Sequence, residues 1–404
     1  MKMTKEFDVI VWGASGFTGR LVAAYLYKQY GVNGSLKWAM AGRNLQKLEE
    51  VRKAVADKTV PLVIADSDNE ESLKELVLKT KVICTTVGPY VTYGSKLVSA
   101  CVTYGAHYCD LSGEVQWMRT MIDKHHDQAK AKGVKIVHTC GFDSIPSDMG
   151  VYFTQREAQA QKGQRAKRIR MRVAGMRGGL SGGTYASLSK VLEQAFKDKS
   201  IYKVLVNPYG LNPADQQEGD DRPDLKNVKY DPTSKNWIGP FIMAGINTKV
   251  VRRSNALMDY SYGKDFRYDE ATISGPGFKG RIKGIMTALP LLMMTAKPGS
   301  VLKRFANRIL PKPGEGPTKE QRENGFYNLR FYATLEDGST AFVKVTGDKD
   351  PGYGSTSKML GESAVCLAKD KLPEVSGVLT PAVAMGDALV DRLEKNAGLT
   401  FSFK

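Results

Sequence analysis

Three glycines at a spacing of three residues follow a short, nearly continuous apolar run close to the start of the chain. The run is Phe7–Trp12, and Gly13, Gly16 and Gly19 come directly after it. The whole stretch reads Gly13-Ala14-Ser15-Gly16-Phe17-Thr18-Gly19. In a strand–turn–helix unit such glycines allow a tight turn, bring backbone close to a pyrophosphate and let the helix pack on the strand. Because a helix N-terminus also attracts phosphates, this stretch is predicted to bind a dinucleotide.

The residues after the second apolar run favour NADP(H) over NAD(H) as that dinucleotide. NAD sites usually carry an Asp or Glu about 20 residues beyond the turn, where it holds the ribose hydroxyls. This chain has Ala41-Gly42-Arg43-Asn44 there, without a carboxylate. An arginine can pair bidentately with a 2′-phosphate and stack on adenine, so Arg43 is the predicted phosphate ligand. Asp66, after the third apolar run, is expected either to contact the adenine ring or to cap a helix.

Two loops that follow later strands are expected at the same edge of the sheet, because ligands bind at the carboxyl ends of parallel strands. One is Val87-Gly88-Pro89-Tyr90, which should line the nicotinamide side of the cofactor. The other is Gly141–Asp148, in which Asp143 and Ser144 are candidate substrate ligands. Asp143 and Asp148 are each expected either to cap a helix, which is the commoner role of aspartates at such places, or to hold substrate. The sequence contains no metal-binding cluster, so no metal site is predicted.

These residues need a parallel sheet to position them, and the first 148 residues have the pattern for one. Short apolar runs alternate regularly with helical stretches, as a doubly wound sheet covered by helices requires. The predicted strands are Phe7–Trp12, Leu36–Ala41, Val60–Ala65, Lys81–Val87, His107–Leu111 and Val134–Thr139. Residues 1–148 are therefore predicted to form a Rossmann domain of the α/β class.

Beyond about Met149 the pattern becomes that of a different domain. Segments such as Arg168–Val173 and Tyr327–Leu335 alternate residue by residue, which is typical of antiparallel strands with one face in solvent. We predict an α+β domain with a mixed or antiparallel sheet over residues 149–356, for substrate binding or oligomerisation. Residues 357–404 are expected to be helices that pack back on the Rossmann domain.

Residues 281–310 combine an apolar run with basic residues. Ile285–Ala296 is almost uncharged, but it is shorter than the roughly 20 residues that a membrane-spanning helix needs. Val301–Leu310 then segregates apolar residues from three basic ones, Lys303, Arg304 and Arg308. This combination is typical of a helix at a membrane interface or at an oligomer contact, and a buried helix at a subunit interface explains it equally well.

The composition favours anionic partners inside the cell. Lys and Arg outnumber Asp and Glu by 59 to 42, which gives a net charge of +17. No helix-turn-helix, zinc-finger or RNP pattern accompanies this charge, so nucleic acid is not an expected partner. The five cysteines contain no C-x-x-C pair, and the N-terminal residues lack an apolar signal-peptide core. We expect a cytoplasmic protein, with attachment to the cytosolic side of a membrane and a homodimer as open alternatives.

Motifs along nearly the whole chain resemble those of the saccharopine dehydrogenase-like oxidoreductases, specifically the branch of the trans-acting enoyl reductases. The matching stretches are Gly13–Gly19, Val87–Tyr90, Tyr93-Gly94, His107–Glu114, Gly141–Asp148, Ser181–Thr184, Pro313–Pro317, Asp350–Gly354 and Gly377–Ala382. The resemblance implies an NADPH-dependent enzyme that reduces a carbon–carbon double bond of an apolar, lipid- or polyketide-type substrate. It adds Ser181, Gly182, Gly183 and Thr184 as candidate substrate-binding residues.

The implied reduction needs a hydride from the nicotinamide and a proton donor near the other carbon. The catalytic residues are unassigned, and Tyr185 and Tyr90 are the candidate donors, although a tyrosine near a cleft more often serves packing. One alternative is a saccharopine dehydrogenase-type reaction at a C–N bond, which needs several cationic groups that the matching loops do not show. The other is a non-catalytic NADP-binding scaffold at a membrane surface.

Overall fold

The chain forms two compact units in the computed structural model, which describes residues 5–32, 34–56, 58–178, 182–297, 299–309 and 317–404. The first unit contains the described residues up to Phe142 and those from Tyr353 to Gly398. The second contains the described residues from Asp143 to Gly352, together with Leu399–Lys404. The chain therefore leaves the first unit once, returns to it, and ends in the second.

The regular elements of the described residues are numbered in chain order. The strands are β1 (Phe7–Trp12), β2 (Trp38–Gly42), β3 (Leu62–Ile64), β4 (Thr80–Thr85), β5 (His107–Cys109), β6 (Lys135–Val137), β7 (Ala166–Arg177), β8 (Lys229–Asp231), β9 (Asn236–Gly239), β10 (Arg267–Gly275), β11 (Phe326–Leu335), β12 (Thr340–Gly347), β13 (Gly377–Leu379) and β14 (Leu399–Phe403). The helices are α1 (Phe17–Tyr30), α2 (Leu45–Val55), α3 (Glu70–Leu78), α4 (Tyr90–Tyr93), α5 (Ser95–Tyr104), α6 (Val115–Ala131), α7 (Ile145–Lys162), α8 (Gly182–Lys197), α9 (Lys199–Val206), α10 (Ala244–Leu257), α11 (Gly277–Met294), α12 (Val301–Ile309), α13 (Lys319–Glu323), α14 (Thr356–Lys369) and α15 (Pro381–Asn396).

The sheet of the first unit is parallel throughout, with the strand order β13-β6-β5-β4-β1-β2-β3. All six residues of β1 are buried, and since successive side chains point to opposite faces, both faces of the sheet are covered there. From β1 the chain builds outward through β2 and β3, then returns to the other side of β1 as β4. The gap between the carboxyl ends of β1 and β4 is thus a topological switch point, where ligands bind in such sheets.

Within the first unit, a buried carboxylate joins the segment that returns to it, Tyr353–Gly398, to helix α1. Glu362 on α14 is fully buried and accepts hydrogen bonds from the hydroxyls of Tyr25 and Tyr30 on α1, both at 2.6 Å. The Arg392 guanidinium on α15 donates to its other oxygen at 3.1 Å. Charge-assisted bonds of this kind are stronger than neutral ones, so Glu362 links three helices.

The second unit contains a mixed sheet with the order β14-β12-β11-β7-β10-β9-β8. Only β7 and β10 run parallel, and the other neighbours are antiparallel. Residues of β11 and β12 alternate between buried and more exposed, as their sequence pattern predicts. The two sheets together confirm the predicted fold class. The strands β13 and β14 lie in the segment for which the sequence predicts only helices. The sequence pattern does not reveal them, because each is short and pairs with a strand that is distant in sequence.

An acidic residue at the centre of the second unit is buried among neutral polar groups. Glu270 on β10 is 1% exposed. Its two oxygens accept hydrogen bonds from the Tyr268 hydroxyl at 2.7 Å and from the Asn247 amide at 3.0 Å. Asn247 also donates to the Ser147 hydroxyl at 3.0 Å. Burial raises the pKa of Glu270 to about 7, although these hydrogen bonds oppose the shift.

Because the pKa of Glu270 is higher in the folded chain than in the unfolded one, this residue should make folding less favourable as the pH rises. Between the unfolded and folded pKa values, the folded chain keeps a proton on Glu270 that the unfolded chain loses. The free energy of unfolding should therefore fall by roughly 2–3 kcal/mol from pH 5 to pH 8. Glu270→Gln mimics the protonated acid and should remove this dependence. Urea unfolding of both proteins across this range is the measurement. If the free energy of unfolding depends on pH in the same way for both proteins, the pKa of Glu270 is not raised.

Candidate functional site

The glycine turn lies at the switch point and is bonded to the strands on both sides. The backbone N–H groups of Gly13 and Ala14 donate to the carbonyl of Ala41, at the end of β2, at 3.0 and 3.1 Å. On the other side, Thr86 N–H donates to the Trp12 carbonyl at 3.1 Å. These bonds hold the turn at the carboxyl edge of three neighbouring strands.

Two of the three glycines are required by the protein itself. Gly13 has a φ of +85°, and a Cβ on it would lie 2.5 Å from Val87 Cγ2. A Cβ on Gly19 would lie only 2.1 Å from the carbonyl oxygen of Gly13. Both distances are well inside van der Waals contact, so side chains at these positions would force the turn and α1 apart.

Gly16 differs from these two, because a side chain there would meet only a mild steric conflict with the rest of the protein. It has an ordinary φ of −75°, and a Cβ there would be 3.3 Å from its nearest neighbour, the Gly13 carbonyl oxygen. Gly16 is exposed and is the N-cap of α1, where no side chain supplies the capping hydrogen bond and the first turn has no acidic residue. The open helix N-terminus fits a bound phosphate, which would approach the backbone closely at this point.

The remaining residues of the turn are less exposed than Gly16. Ala14 is fully buried, whereas Ser15, Phe17 and Thr18 are half-buried. The Phe17 ring packs edge-on against Tyr353, with the ring centroids 4.6 Å apart. Phe17 therefore anchors the first turn of α1 to the returning segment.

Arg43 follows β2 directly and has an exposed side chain. No described residue forms a hydrogen bond or an ion pair with its guanidinium. The next residue, Asn44, accepts a hydrogen bond from Lys47 N–H at 3.0 Å and so caps α2. Arg43 thus projects from the carboxyl edge of the sheet with its donors available.

Asp66 follows β3 and is half-buried. Its carboxylate accepts a hydrogen bond from Asp68 N–H at 3.0 Å, which closes a local turn. The cap of α3 is Asn69, whose side chain accepts from Ser72 N–H. Asp66 is therefore not the helix cap that the sequence left open as its alternative role.

The loop Val87–Tyr90 follows β4, and its tyrosine points into the unit rather than outward. Tyr90 is 6% exposed, and its hydroxyl lies between the Thr85 carbonyl at 3.4 Å and Leu111 N–H at 3.1 Å. Its ring stacks on Trp117, with the ring centroids 5.4 Å apart. Since the hydroxyl is used inside the unit, the structure does not favour Tyr90 as a proton donor, and packing accounts for this residue.

Two buried carboxylates that the sequence did not single out hold this edge of the sheet together. Glu114 accepts the N–H groups of Tyr90 and Val91, each at 2.9 Å, and so caps α4. The Asp110 carboxylate, after β5, accepts hydrogen bonds from His138 Nδ1 at 2.7 Å and from the Tyr108 hydroxyl at 2.9 Å. Its other oxygen accepts the N–H groups of Ser112 and Thr139. Their position is the signal in the sequence, since Asp110 lies near the end of the predicted strand His107–Leu111 and Glu114 follows that strand.

The candidate substrate residues of the Gly141–Asp148 loop belong to the second unit. Asp143 is half-buried. Ser144 is fully buried and its hydroxyl donates to Asn247 Oδ1 at 3.1 Å. Asp148 is also fully buried, in the first turn of α7, and accepts the Ser254 hydroxyl at 2.5 Å. Ser144 and Asp148 thus join α7 to α10, which leaves Asp143 as the more accessible candidate of the three.

The second group of candidates lies partly outside the described residues. Ser181 is one of the residues that the structure does not describe. Gly182, Gly183, Thr184 and Tyr185 open helix α8, but only the course of the backbone is described for them. Their proposed roles rest on the sequence alone.

Comparisons with known proteins agree with this architecture. The family described as the saccharopine dehydrogenase NADP binding domain matches residues 9–137. A Mycobacterium tuberculosis H37Rv protein named as a trans-acting enoyl reductase is 40% identical, with 96% of both chains covered. The Mycobacterium ulcerans trans-acting enoyl reductase is 37% identical, again over 96% of both chains.

A solved structure is similar over the whole length. Saccharopine dehydrogenase (L-Glu forming) from Saccharomyces cerevisiae aligns with a TM-score of 0.54, covering 98% of this chain and 99% of its own. The identity is 13%, so this likeness supports the fold alone. Together the comparisons confirm the family resemblance that the sequence motifs indicate.

The contrast between Gly16 and Gly19 predicts opposite effects of the same substitution. Gly16→Ala should lower the unfolding midpoint much less than Gly19→Ala, because its Cβ would be 3.3 Å rather than 2.1 Å from the Gly13 carbonyl oxygen. It should weaken NADPH binding roughly tenfold or more, because the added Cβ keeps the phosphate away from the backbone N–H groups and a lost phosphate hydrogen bond is worth about 1.5–3 kcal/mol. Gly19→Ala should instead destabilise the fold by about 1–3 kcal/mol through overpacking. Thermal unfolding and NADPH titration of both variants measure this. An unchanged NADPH affinity in a stable Gly16→Ala protein would assign this glycine to the turn only.

Proposed function

This chain belongs to the family of the mycobacterial trans-acting enoyl reductases, and we propose that it uses NADPH to reduce a carbon–carbon double bond of an apolar, lipid- or polyketide-type substrate. The family is one of oxidoreductases with a saccharopine dehydrogenase-type NADP-binding domain. The observation that carries the proposal is the similarity to these relatives over 96% of the chain, which includes the second unit as well as the nucleotide-binding one.

Residues of the first unit support the proposed binding of NADPH. The open N-terminus of α1 at Gly16 would take the pyrophosphate, and the exposed Arg43 would take the 2′-phosphate. Asp66 lies at the end of β3, where it would face the adenine side, and Val87–Tyr90 would face the nicotinamide side. The absence of a carboxylate directly after β2 supports NADPH over NADH, because an acidic residue there would repel the 2′-phosphate.

The cofactor supplies a hydride to one carbon of the double bond, and the other carbon must receive a proton. Tyr90 is not retained as the donor, because its hydroxyl is engaged between Thr85 and Leu111. Tyr185 at the start of α8 remains the candidate, on sequence grounds. A tyrosine suits this role because its hydroxyl can give up a proton directly or relay one from solvent.

The arginines buried in the second unit argue against a substrate with several carboxylates. Arg172 pairs with Asp231 at 2.8 Å and with Asp269 at 2.7 Å. Arg252 pairs with Asp221 at 2.8 Å, and Arg253 donates to the Leu211 carbonyl. These cations are committed to groups of their own unit, so they are not available to grip an amino-acid conjugate. This favours an apolar substrate over the saccharopine dehydrogenase-type reaction at a C–N bond.

The reaction itself is tested by mixing the purified chain with NADPH and 2-enoyl thioesters of increasing chain length. We expect oxidation of NADPH, faster with longer acyl chains, and a product two mass units heavier than the substrate. With NADPH doubly deuterated at C4, one deuterium should appear in the saturated product. If NADPH is consumed only with a 2-oxo acid and an amine, the reaction is at a C–N bond. If no substrate of either kind is turned over by a protein that binds NADPH, the chain is a non-catalytic scaffold.

Arg43 should discriminate between the two nucleotides. Arg43→Ala removes a charged donor to the 2′-phosphate and should raise the Kd for NADPH by about 10- to 150-fold, equivalent to about 1.5–3 kcal/mol, while the Kd for NADH stays nearly constant. Lys53→Ala removes the same charge from an exposed position farther along α2 and serves as the matched control. Fluorescence titrations with both nucleotides measure the effect. Equal losses for NADPH and NADH in the Arg43 variant would remove this residue from the phosphate site.

A further inference from the structure

Helix α11 exposes most of its large apolar residues, and the residues that it buries are Gly280, Gly284, Met293 and Met294. Gly280 and Gly284 are buried on the packed side, and a Cβ on Gly284 would lie 2.9 Å from Ser274 Oγ. On the other side Phe278 is 73% exposed and Met286 68% exposed. The full exposed set recurs every three or four residues, and it consists of Phe278, Ile282, Ile285, Met286, Leu289 and Leu292. This is the reverse of an ordinary surface helix, which turns its apolar stripe to the core.

The neighbouring helix α12 extends the exposed apolar surface. Val301 is 75% exposed and Phe305 is 55% exposed. Lys303, by contrast, is buried, and its ammonium group donates to the Met294 carbonyl and the Ser189 hydroxyl, each at 2.9 Å. Lys303 is thus separated from Arg304 and Arg308, the two basic residues with which the sequence pattern groups it. This lysine holds the end of α11 against α12 and α8, while Arg304 and Arg308 remain exposed.

Positive charge surrounds these apolar residues, without any acidic residue in the same segment. Residues 271–314 contain no Asp or Glu. The exposed basic residues of this segment are Lys279, Arg281, Lys283, Lys297, Arg304 and Arg308. An apolar stripe edged by cations is the pattern of a helix that lies in a membrane interface. No helix in the described part of the chain is long and apolar enough to cross a bilayer.

We propose that the exposed faces of α11 and α12, named here the α11–α12 surface, dock on a bilayer with anionic headgroups. The apolar side chains enter the boundary between headgroups and acyl chains, and the basic side chains contact the lipid phosphates. Charge complementarity selects this occupant over a second copy of the chain. A symmetric dimer through this surface would bring its cations against the identical cations of the other copy. The proposal concerns a surface of the second unit and does not depend on which reaction the chain catalyses.

Flotation of the full-length chain with vesicles tests the electrostatic part. Binding should be strong with 70:30 phosphatidylcholine and phosphatidylglycerol, weak with phosphatidylcholine alone, and lower at 500 mM than at 50 mM salt, because salt screens exposed charges. Each basic residue near an anionic surface raises partitioning about fivefold. The quadruple change of Lys279, Lys283, Arg304 and Arg308 to Gln should therefore weaken binding at least tenfold. Its matched control changes four exposed lysines elsewhere to Gln, namely Lys28, Lys53, Lys124 and Lys162, and should bind almost as the parent protein does.

Insertion of the apolar face is tested separately. Met286→Trp places a reporter on the exposed stripe, and its fluorescence should shift to the blue and be quenched by brominated lipid only when anionic vesicles are present. Replacing Met286, Leu289 and Leu292 by Ser should reduce vesicle binding at least tenfold without lowering the unfolding midpoint, because these side chains are exposed in the fold.

Several results would overturn the proposal. One is a parent protein that ignores anionic vesicles at low salt. Another is an equal loss of binding in the two quadruple variants. A third is a parent protein that sediments as a dimer, fails to bind vesicles and becomes monomeric in the triple Ser variant, which would assign the surface to a second copy. Binding of an acidic protein or of a single soluble acyl chain, with no vesicle binding, would also exclude the lipid surface.

Discussion

The close approach of helix α1 to the end of strand β1 is the contact on which the arrangement of the first unit depends. Gly19 lies so near the carbonyl oxygen of Gly13 that a Cβ would be 2.1 Å from it. The turn between them is bonded to the end of β2 through Ala41 and to the start of the loop after β4 through Thr86. Because these contacts leave no room for adjustment, the N-terminus of α1 is held at the switch point between β1 and β4, which is where a phosphate can use its N–H groups.

Several buried carboxylates stabilise the fold by accepting hydrogen bonds from neighbouring elements, whereas other polar groups face solvent. Asp110, Glu114 and Glu362 in the first unit, and Glu270 in the second, are all nearly or fully buried and accept hydrogen bonds from several donors. A buried polar group must be satisfied in this way, so each one specifies the elements around it. Gly16 and Arg43, by contrast, are exposed at the carboxyl edge of the sheet, and no described residue forms a hydrogen bond or an ion pair with the Arg43 guanidinium.

In the second unit one helix buries several polar side chains and another exposes apolar ones. Its helix α10 is almost wholly buried although it carries Asn247, Lys249, Arg252 and Arg253. The Asn247, Arg252 and Arg253 side chains bond to neighbouring strands and loops, whereas Lys249 donates to the Gly245 carbonyl of its own helix. Helix α11 does the opposite and exposes most of its large apolar side chains. Exposed apolar patches of this kind mark interaction surfaces. The proposed apolar substrate and the proposed lipid surface are compatible, because a protein at a membrane can take an apolar substrate from it.

The sequence alone determined the features that depend on neighbouring residues. The strand–turn–helix unit, the parallel sheet, the alternating strands of the second sheet and the place of Arg43 all follow from short-range periodicity and turn chemistry. Only the tertiary structure decided which polar side chains remain accessible. It buried Tyr90, Ser144 and Lys303 against partners that come from other elements, and it paired β13 with β6 across some 240 residues of chain. Such contacts join residues that are distant in sequence, and local patterns carry no information about them.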